Sequence, residues 1–222
     1  MTSPFDWIGD ELHTLREESL LRERRIVEPL GRGLCRIAGS EQELIDFGSN
    51  DYLGLATSEQ LRSAAIDAVQ ESGVGARASA LVSGTHNWHD RLRRKIAEFE
   101  GTDDAILFPT GYAANVGTIA ALAGPEDAVF CDRLNHASLV DGCRLSRARF
   151  LVYPHCDMEI LERELKKAHD TRRRLIVTDG LFSMDGDLAP LDEIWKLAQQ
   201  YDTMLLVDEA HGTGVFGDRH RR

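Results

Sequence analysis

The sequence predicts an α/β fold built on a mainly parallel sheet, and three observations carry that expectation. From about residue 105 onward, short apolar runs alternate with helical patterns. The runs are apolar throughout rather than alternating, as strands are when helices cover both faces of a sheet. Polar residues follow several of the runs directly, in the positions where open α/β sheets bind ligands. The strand candidates are 105–108, 128–131, 150–153, 175–178 and 204–207, with helical patterns near 112–123, 137–146, 158–169 and 191–200 between them. Such alternation specifies βαβ units.

Upstream, residues 5–27 place Leu12, Leu15, Leu20 and Leu21 among charges, which predicts an amphipathic N-terminal helix. A polar, Gly-rich stretch follows, then a short strand at 43–47 and a turn at Ser49-Asn50-Asp51-Tyr52-Leu53-Gly54. Ser58 is placed to cap a helix running to about residue 72. A Gly-rich connection over 73–84 leads into a further helix near 88–100.

The chain of 222 residues is 42% hydrophobic, enough to fill a core. Its 26 basic and 37 acidic side chains leave a formal net charge of −11. That balance argues against a nucleic-acid or anionic-membrane partner, both of which need a basic footprint. The basic runs at Arg91, Arg93 and Arg94 and at Arg172, Arg173 and Arg174 read as solvated faces. Cys35, Cys131, Cys143 and Cys156 show no CxxC spacing and no signal peptide precedes them, so free thiols in a reducing cytoplasm are expected. No apolar run is long enough to span a membrane. His86 and His89 lack further ligands at useful spacing, so they are expected to begin a helix rather than hold a metal.

Four strand ends deliver polar groups to one rim. Thr110, Gly111 and Tyr112 follow the first run and open a helix, where Gly111 lets backbone approach an anion. Asn135 and His136 follow the second, and Asp179 and Ser183 the fourth. Asp208 and His211 close the last, with Asp208 expected to be buried at the rim beside a cationic partner. Each has a bland reading alone, as a turn glycine, a structural histidine or a loop serine. Together they suit a flat heterocycle carrying a phosphate and a ring nitrogen that must stay protonated, and pyridoxal phosphate is such a ligand.

The segments that carry a closer likeness are Asn50-Asp51-Tyr52-Leu53-Gly54-Leu55, Thr110-Gly111-Tyr112-Ala113-Ala114-Asn115, and Asn135-His136-Ala137-Ser138 with Asp141-Gly142. To these add Thr178-Asp179-Gly180-Leu181-Phe182-Ser183-Met184-Asp185-Gly186-Asp187 and Val207-Asp208-Glu209-Ala210-His211-Gly212-Thr213-Gly214. In order and spacing the chain resembles the α-oxoamine synthase family. The resemblance implies a fold-type-I pyridoxal-phosphate enzyme, a homodimer, that joins an amino acid to an acyl-CoA thioester with loss of CO2. It implies an N-terminal helix and arm over 1–45 and an incomplete cofactor-binding large domain over 46–222, with a small C-terminal domain absent. By resemblance Asp208 meets the pyridine nitrogen and His136 stacks on the ring. Ser183 and His211 lie near the ring hydroxyl, and Gly111 and Tyr112 near the phosphate. Asn50 contacts substrate, as does an N-terminal arginine, Arg22 or Arg24. Within the family, Gly186-Asp187 with Ala189-Pro190-Leu191 most resembles the members that join L-alanine to pimeloyl-CoA in biotin biosynthesis, ahead of the ketobutyrate ligases.

The family's Schiff-base lysine lies beyond the Asp208-to-Gly214 segment, and is expected past Arg222. Lys95, Lys166, Lys167 and Lys196, the lysines present, all fall in helical patterns, so the piece as written is expected to be inactive. Two other classes compete. A non-catalytic partner subunit would also lack the lysine, although it would keep its C-terminal domain. A DEAH-box ATPase would need a GxxxxGK[ST] loop upstream of Asp208-Glu209-Ala210-His211, and no Gly-Lys-Ser/Thr occurs.

Overall fold

A computed structural model describes residues 3–216; Arg222 lies outside them. The chain divides into two compact units, Met1–Ala64 and Ala65–Arg222.

The first unit holds helix α1 (Asp6–Glu17) and an antiparallel sheet of β1 (Val27–Gly31), β2 (Leu34–Ile37) and β3 (Glu43–Ile45) in that order. The helix expected over 5–27 stops at Glu17. No residue of α1 is buried, so packing does not extend it. Ser19 then enters the left-handed region at φ 56°, and the Leu20 and Leu21 N–H groups both return to the Leu15 carbonyl. The Gly-rich stretch conceals a hairpin: Gly31, Arg32 and Gly33 all take positive φ between β1 and β2, which glycine tolerates without strain. The expected strand at 43–47 is β3, two residues shorter.

The boundary between the units falls within α2 (Glu59–Ser72), the helix expected after Ser58. In the second unit a π-helical turn at Ala80–Gly84 precedes α3 (Asn87–Glu100). There the His86 N–H donates to His89 Nδ1 at 3.3 Å, so the two histidines act at the helix start, as expected. The remaining order is α4 (Gly111–Leu122), β4 (Ala128–Asp132), α5 (Ala137–Ser146), β5 (Arg149–Tyr153), α6 (Met158–Lys167), β6 (Arg174–Asp179), α7 (Leu191–Gln200) and β7 (Met204–Asp208). The four strands form one parallel sheet, ordered β5-β4-β6-β7. All four were legible as apolar runs.

The fifth expected strand, 105–108, is not in a ladder. Ile106 is 81% exposed, and no described strand hydrogen-bonds to the segment. An apolar run can propose a strand; only a neighbour makes one.

Side chains alternate across the central strands and build two cores. Phe130 and Ile176 point to one face and pack with Leu161 and Leu165 of α6 and Ile194 and Ala198 of α7. Val129, Cys131, Leu175 and Val177 point to the other, against Ile119 of α4 and Leu139 and Cys143 of α5. Both faces of β4 and β6 are therefore covered, and truncating one such buried Phe to Ala costs about 3–5 kcal/mol. The edge strands β5 and β7 are only partly buried, short of the full cover expected. All four cysteines are free thiols. Among the described residues no helix is long and apolar enough to cross a membrane.

Candidate active site at the carboxyl ends of the strands

The parallel registers bring the strand ends level, and Asp179 of β6 stands opposite Asp208 of β7. Asn135, just past β4, fixes the first of these. Its amide donates to the Val177 carbonyl at 2.8 Å, and its Oδ1 accepts the Asp179 N–H at 3.0 Å. The Asp179 carboxylate then accepts the His136 N–H at 2.7 Å.

From His136 a chain of side chains leads back to Asp208. His136 caps α5, its Nδ1 accepting the Ser138 N–H at 3.2 Å and lying 2.7 Å from Ser138 Oγ. These partners assign the proton of the neutral ring to Nε2. The Asn115 amide, on α4, donates to Ser138 Oγ at 2.9 Å and to Asp208 Oδ2 at 2.7 Å, using both its N–H groups. Asp208 Oδ1 accepts the Ala210 N–H at 2.9 Å. Among the described residues an amide side chain and a backbone N–H thus donate to Asp208, which is half-buried.

Two carboxylates side by side are electrostatically costly. Burial, with the Asp208 charge adding to it, pushes the Asp179 carboxyl above the ordinary range, although the hydrogen bond from the His136 N–H opposes that rise.

The other expected residues lie on several elements of the two units. Thr110 caps α4, its Oγ1 accepting the Ala113 N–H at 3.1 Å. Gly111 opens the helix, and a Cβ built there would meet nothing within 4 Å, so the space beside the first turn is open. Tyr112 donates its hydroxyl to Asp141 Oδ2 at 2.9 Å, tying α4 to α5, and that bond raises its phenol above the usual value. Ser183 is exposed in the loop that leaves β6, and His211 is half-buried in the turn that leaves β7. Arg22, Arg24 and Asn50 are exposed residues of the first unit, where Asn50 Oδ1 accepts the Tyr52 hydroxyl at 3.1 Å. The four lysines lie on helix surfaces, and Lys95, Lys166 and Lys167 pair with Glu98, Glu162 and Glu164.

Asn115 and Ser138 carried no role in the reading of the sequence. The available signal for Asn115 was an amide in the first turns of an otherwise apolar helix. Asp179, whose role was open, is the anchor of His136.

Residues 42–221 match the family of class I and II aminotransferases. The chain is 52% identical over 214 residues to an 8-amino-7-oxononanoate synthase of Geobacter sulfurreducens, covering 96% of this chain and 54% of that protein. It is 50% identical over 213 residues to one of Citrifermentans bemidjiense, again covering 96% and 54%. A serine palmitoyltransferase of S. paucimobilis, solved with a bound PLP–myriocin adduct, superposes with a TM-score of 0.88 at 31% identity, covering 98% of this chain and 55% of that one. The chain spans about half the length of the curated relatives it matches.

Proposed function

Because the chain belongs to the class I and II aminotransferase family, we propose that the whole protein is a pyridoxal-phosphate-dependent 8-amino-7-oxononanoate synthase. It would condense L-alanine with pimeloyl-CoA, releasing CO2 and CoA, as a homodimer. The observation that carries the substrate choice is the 52% identity to a synthase of that name over nearly the whole of this chain. Residues 46–222 would belong to its cofactor-binding domain.

The residues present fit the cofactor. Open space at Gly111, beside unpaired N–H groups of the first turn of α4, suits a phosphate, with Tyr112 beside it. Asp208 is oriented through both oxygens by the Asn115 amide and the Ala210 N–H, and its carboxylate would pair with a protonated pyridine nitrogen. When bound, pyridoxal phosphate supplies an electron sink for cleaving bonds at the amino-acid α-carbon. The protein's own part is positional. Asn115 sets the angle of Asp208. Asp179 holds the His136 backbone and Ser138 the ring, which would cover one face of the cofactor. Ser183 and His211 would meet polar groups around the ring, and Asn50 with Arg22 or Arg24 the substrate. The lysine that carries the cofactor would be none of Lys95, Lys166, Lys167 and Lys196, since each sits on a helix surface.

The test is CoA release by the whole protein with paired substrates. Pimeloyl-CoA with L-alanine should far outpace acetyl-CoA with glycine; the reverse order would reassign the protein to the ketobutyrate ligases.

A further inference from the structure

A second polar cluster lies at the ends of β4 and β5, outside the network of Asp208 and His136. His155 stands between two carboxylates. Its Nδ1 is 3.0 Å from Asp132 Oδ1, and its Nε2 is 2.7 Å from Asp187 Oδ2. Asp132 is buried at the end of β4 and also accepts the Leu134 N–H at 2.9 Å and the Cys156 N–H at 2.8 Å. Asp187 is exposed and belongs to the loop over 180–189 that carries Ser183. Within that loop Phe182 and Asp187 are joined through backbone, and Leu181 bridges Leu188. Phe182 packs edge-on against the His155 ring, with centroids 4.4 Å apart.

A carboxylate accepts and cannot donate, so an imidazole facing one at each nitrogen needs both N–H groups. Only the imidazolium has them. We propose that His155 is a positioning residue that, as an imidazolium, bridges Asp132 and Asp187 and thereby fixes the loop that carries Ser183. The consequence at the cofactor rests on the reading of Ser183 given above; the latch rests on the geometry alone.

The electrostatics agree. Burial pulls the imidazolium down, but hydrogen bonds to Asp187 and then Asp132, with their charges, outweigh it, and His155 stands above the ordinary histidine value. The same bond holds Asp187 below the usual carboxylate range. The titratable groups facing the ring are Asp132 from β4, Asp187 from the loop, and Cys156, whose thiol burial lifts to about 11 and which therefore stays neutral. A raised histidine pKa stabilises fully below the unfolded value of about 6.5, and that contribution fades as pH rises through the folded value. Above it the Nε2 proton leaves to water. The ring keeps Nδ1–H on buried Asp132, where an unpaired charge costs most, and releases exposed Asp187.

The test follows hydrogen exchange in peptides covering 180–189 of the whole protein, corrected for intrinsic pH dependence, beside pyridoxal phosphate affinity by equilibrium dialysis. In the wild type, loop exchange and dissociation constant should both rise above about pH 6.5, by about tenfold, the factor a lost charged hydrogen bond supplies. His155→Gln, whose two N–H groups share one nitrogen and cannot span carboxylates held at the two separate ring nitrogens, should sit at the raised level at every pH. Asp187→Asn should abolish the pH dependence, because an amide can donate to the neutral ring; its exposed position keeps the fold safe. Loop exchange that ignores pH in the wild type, or His155→Gln protected like the wild type, would overturn the latch. Exchange that responds while affinity does not would uphold the latch and overturn the placement of Ser183 beside the cofactor.

Discussion

Asn115 donates to Asp208 across 93 residues of chain, at 2.7 Å, and thereby joins α4 to β7. The same amide reaches Ser138, so one side chain sets three elements.

Asn115→Ala should therefore strip donors from Asp208 and Ser138 at once. Leaving partly buried polar groups unsatisfied costs about 1–3 kcal/mol. The expected result is a lower unfolding midpoint together with weaker cofactor binding. Asn115→Asp should be worse for the cofactor, because it sets a second carboxylate against Asp208. Thermal unfolding and equilibrium dialysis measure the two effects separately.

Asp208→Asn tests the charge rather than the shape. The amide keeps a single acceptor oxygen, enough for one of the two donors, Asn115 or Ala210, and its shape is unchanged, so the cofactor should bind. Each unit of lost basicity toward the ring nitrogen is about 1.4 kcal/mol, or tenfold, so turnover should fall by orders of magnitude. Near-normal turnover in steady-state assays of the whole protein would end the assignment.

Asp179 offers a prediction with the opposite sign. A carboxyl whose folded pKa is raised favours the folded state below the unfolded value of about 3.9, and that contribution is lost as pH rises. At neutral pH its ionised form is therefore a burden. Asp179→Asn, which still accepts the His136 N–H, should raise the apo-protein's unfolding midpoint at pH 7.5, with the gain shrinking as pH approaches 4.5. Denaturant titrations at the two pH values decide it.

Gly142 of α5 lies against α4, where a Cβ would come within 2.9 Å of Ile119 Cδ1 and 3.2 Å of the Asn115 carbonyl. A larger side chain must push the helices apart at the turn that bears Asn115. Gly142→Leu should cost about 1–3 kcal/mol by overpacking and should also weaken cofactor binding. A variant that loses stability with unchanged affinity would show that the site tolerates movement of α4.

The opposite end of the sheet provides the control. Arg172 is exposed, as its run suggested, yet it also donates to buried Asp127 at 3.0 and 2.8 Å. The arginine holds Asp127 below the usual carboxylate range, which stabilises above an unfolded value of about 3.9 and is lost at lower pH. Arg172→Leu should reduce stability at pH 7, with the deficit narrowing toward pH 3, and leave cofactor affinity as it was.

The parallel sheet was legible because each of its strands is an apolar run, and β4, β6 and β7 each end in an aspartate, as in Val207-Asp208. The run at 105–108 has the same signature without a ladder, because pairing belongs to the partner and not to the run. The hairpin around Arg32 was hidden because its strands are short and mostly exposed, leaving no periodic signal. At the site, Gly111, Tyr112, His136, Ser183, Asp208 and His211 were visible as groups following apolar runs. Asn115 and Ser138 were not, since they act through hydrogen bonds between distant segments. His155 escaped notice for the same reason: its two carboxylates lie 23 and 32 residues away.

The long reach from Asn115 to Asp208 also imposes a schedule during synthesis. At translation speeds of about 5–20 residues per second, roughly 5–20 s separate the emergence of the two residues. Through that interval α4 and α5 can already pack around Ile119 and Leu139, with the Asn115 amide turned to water on one side. The carboxylate that completes the network arrives last. Nascent chains halted before Asp208 should hold compact helices yet retain no pyridoxal phosphate, so that cofactor retention marks the arrival of β7 rather than the collapse of the core.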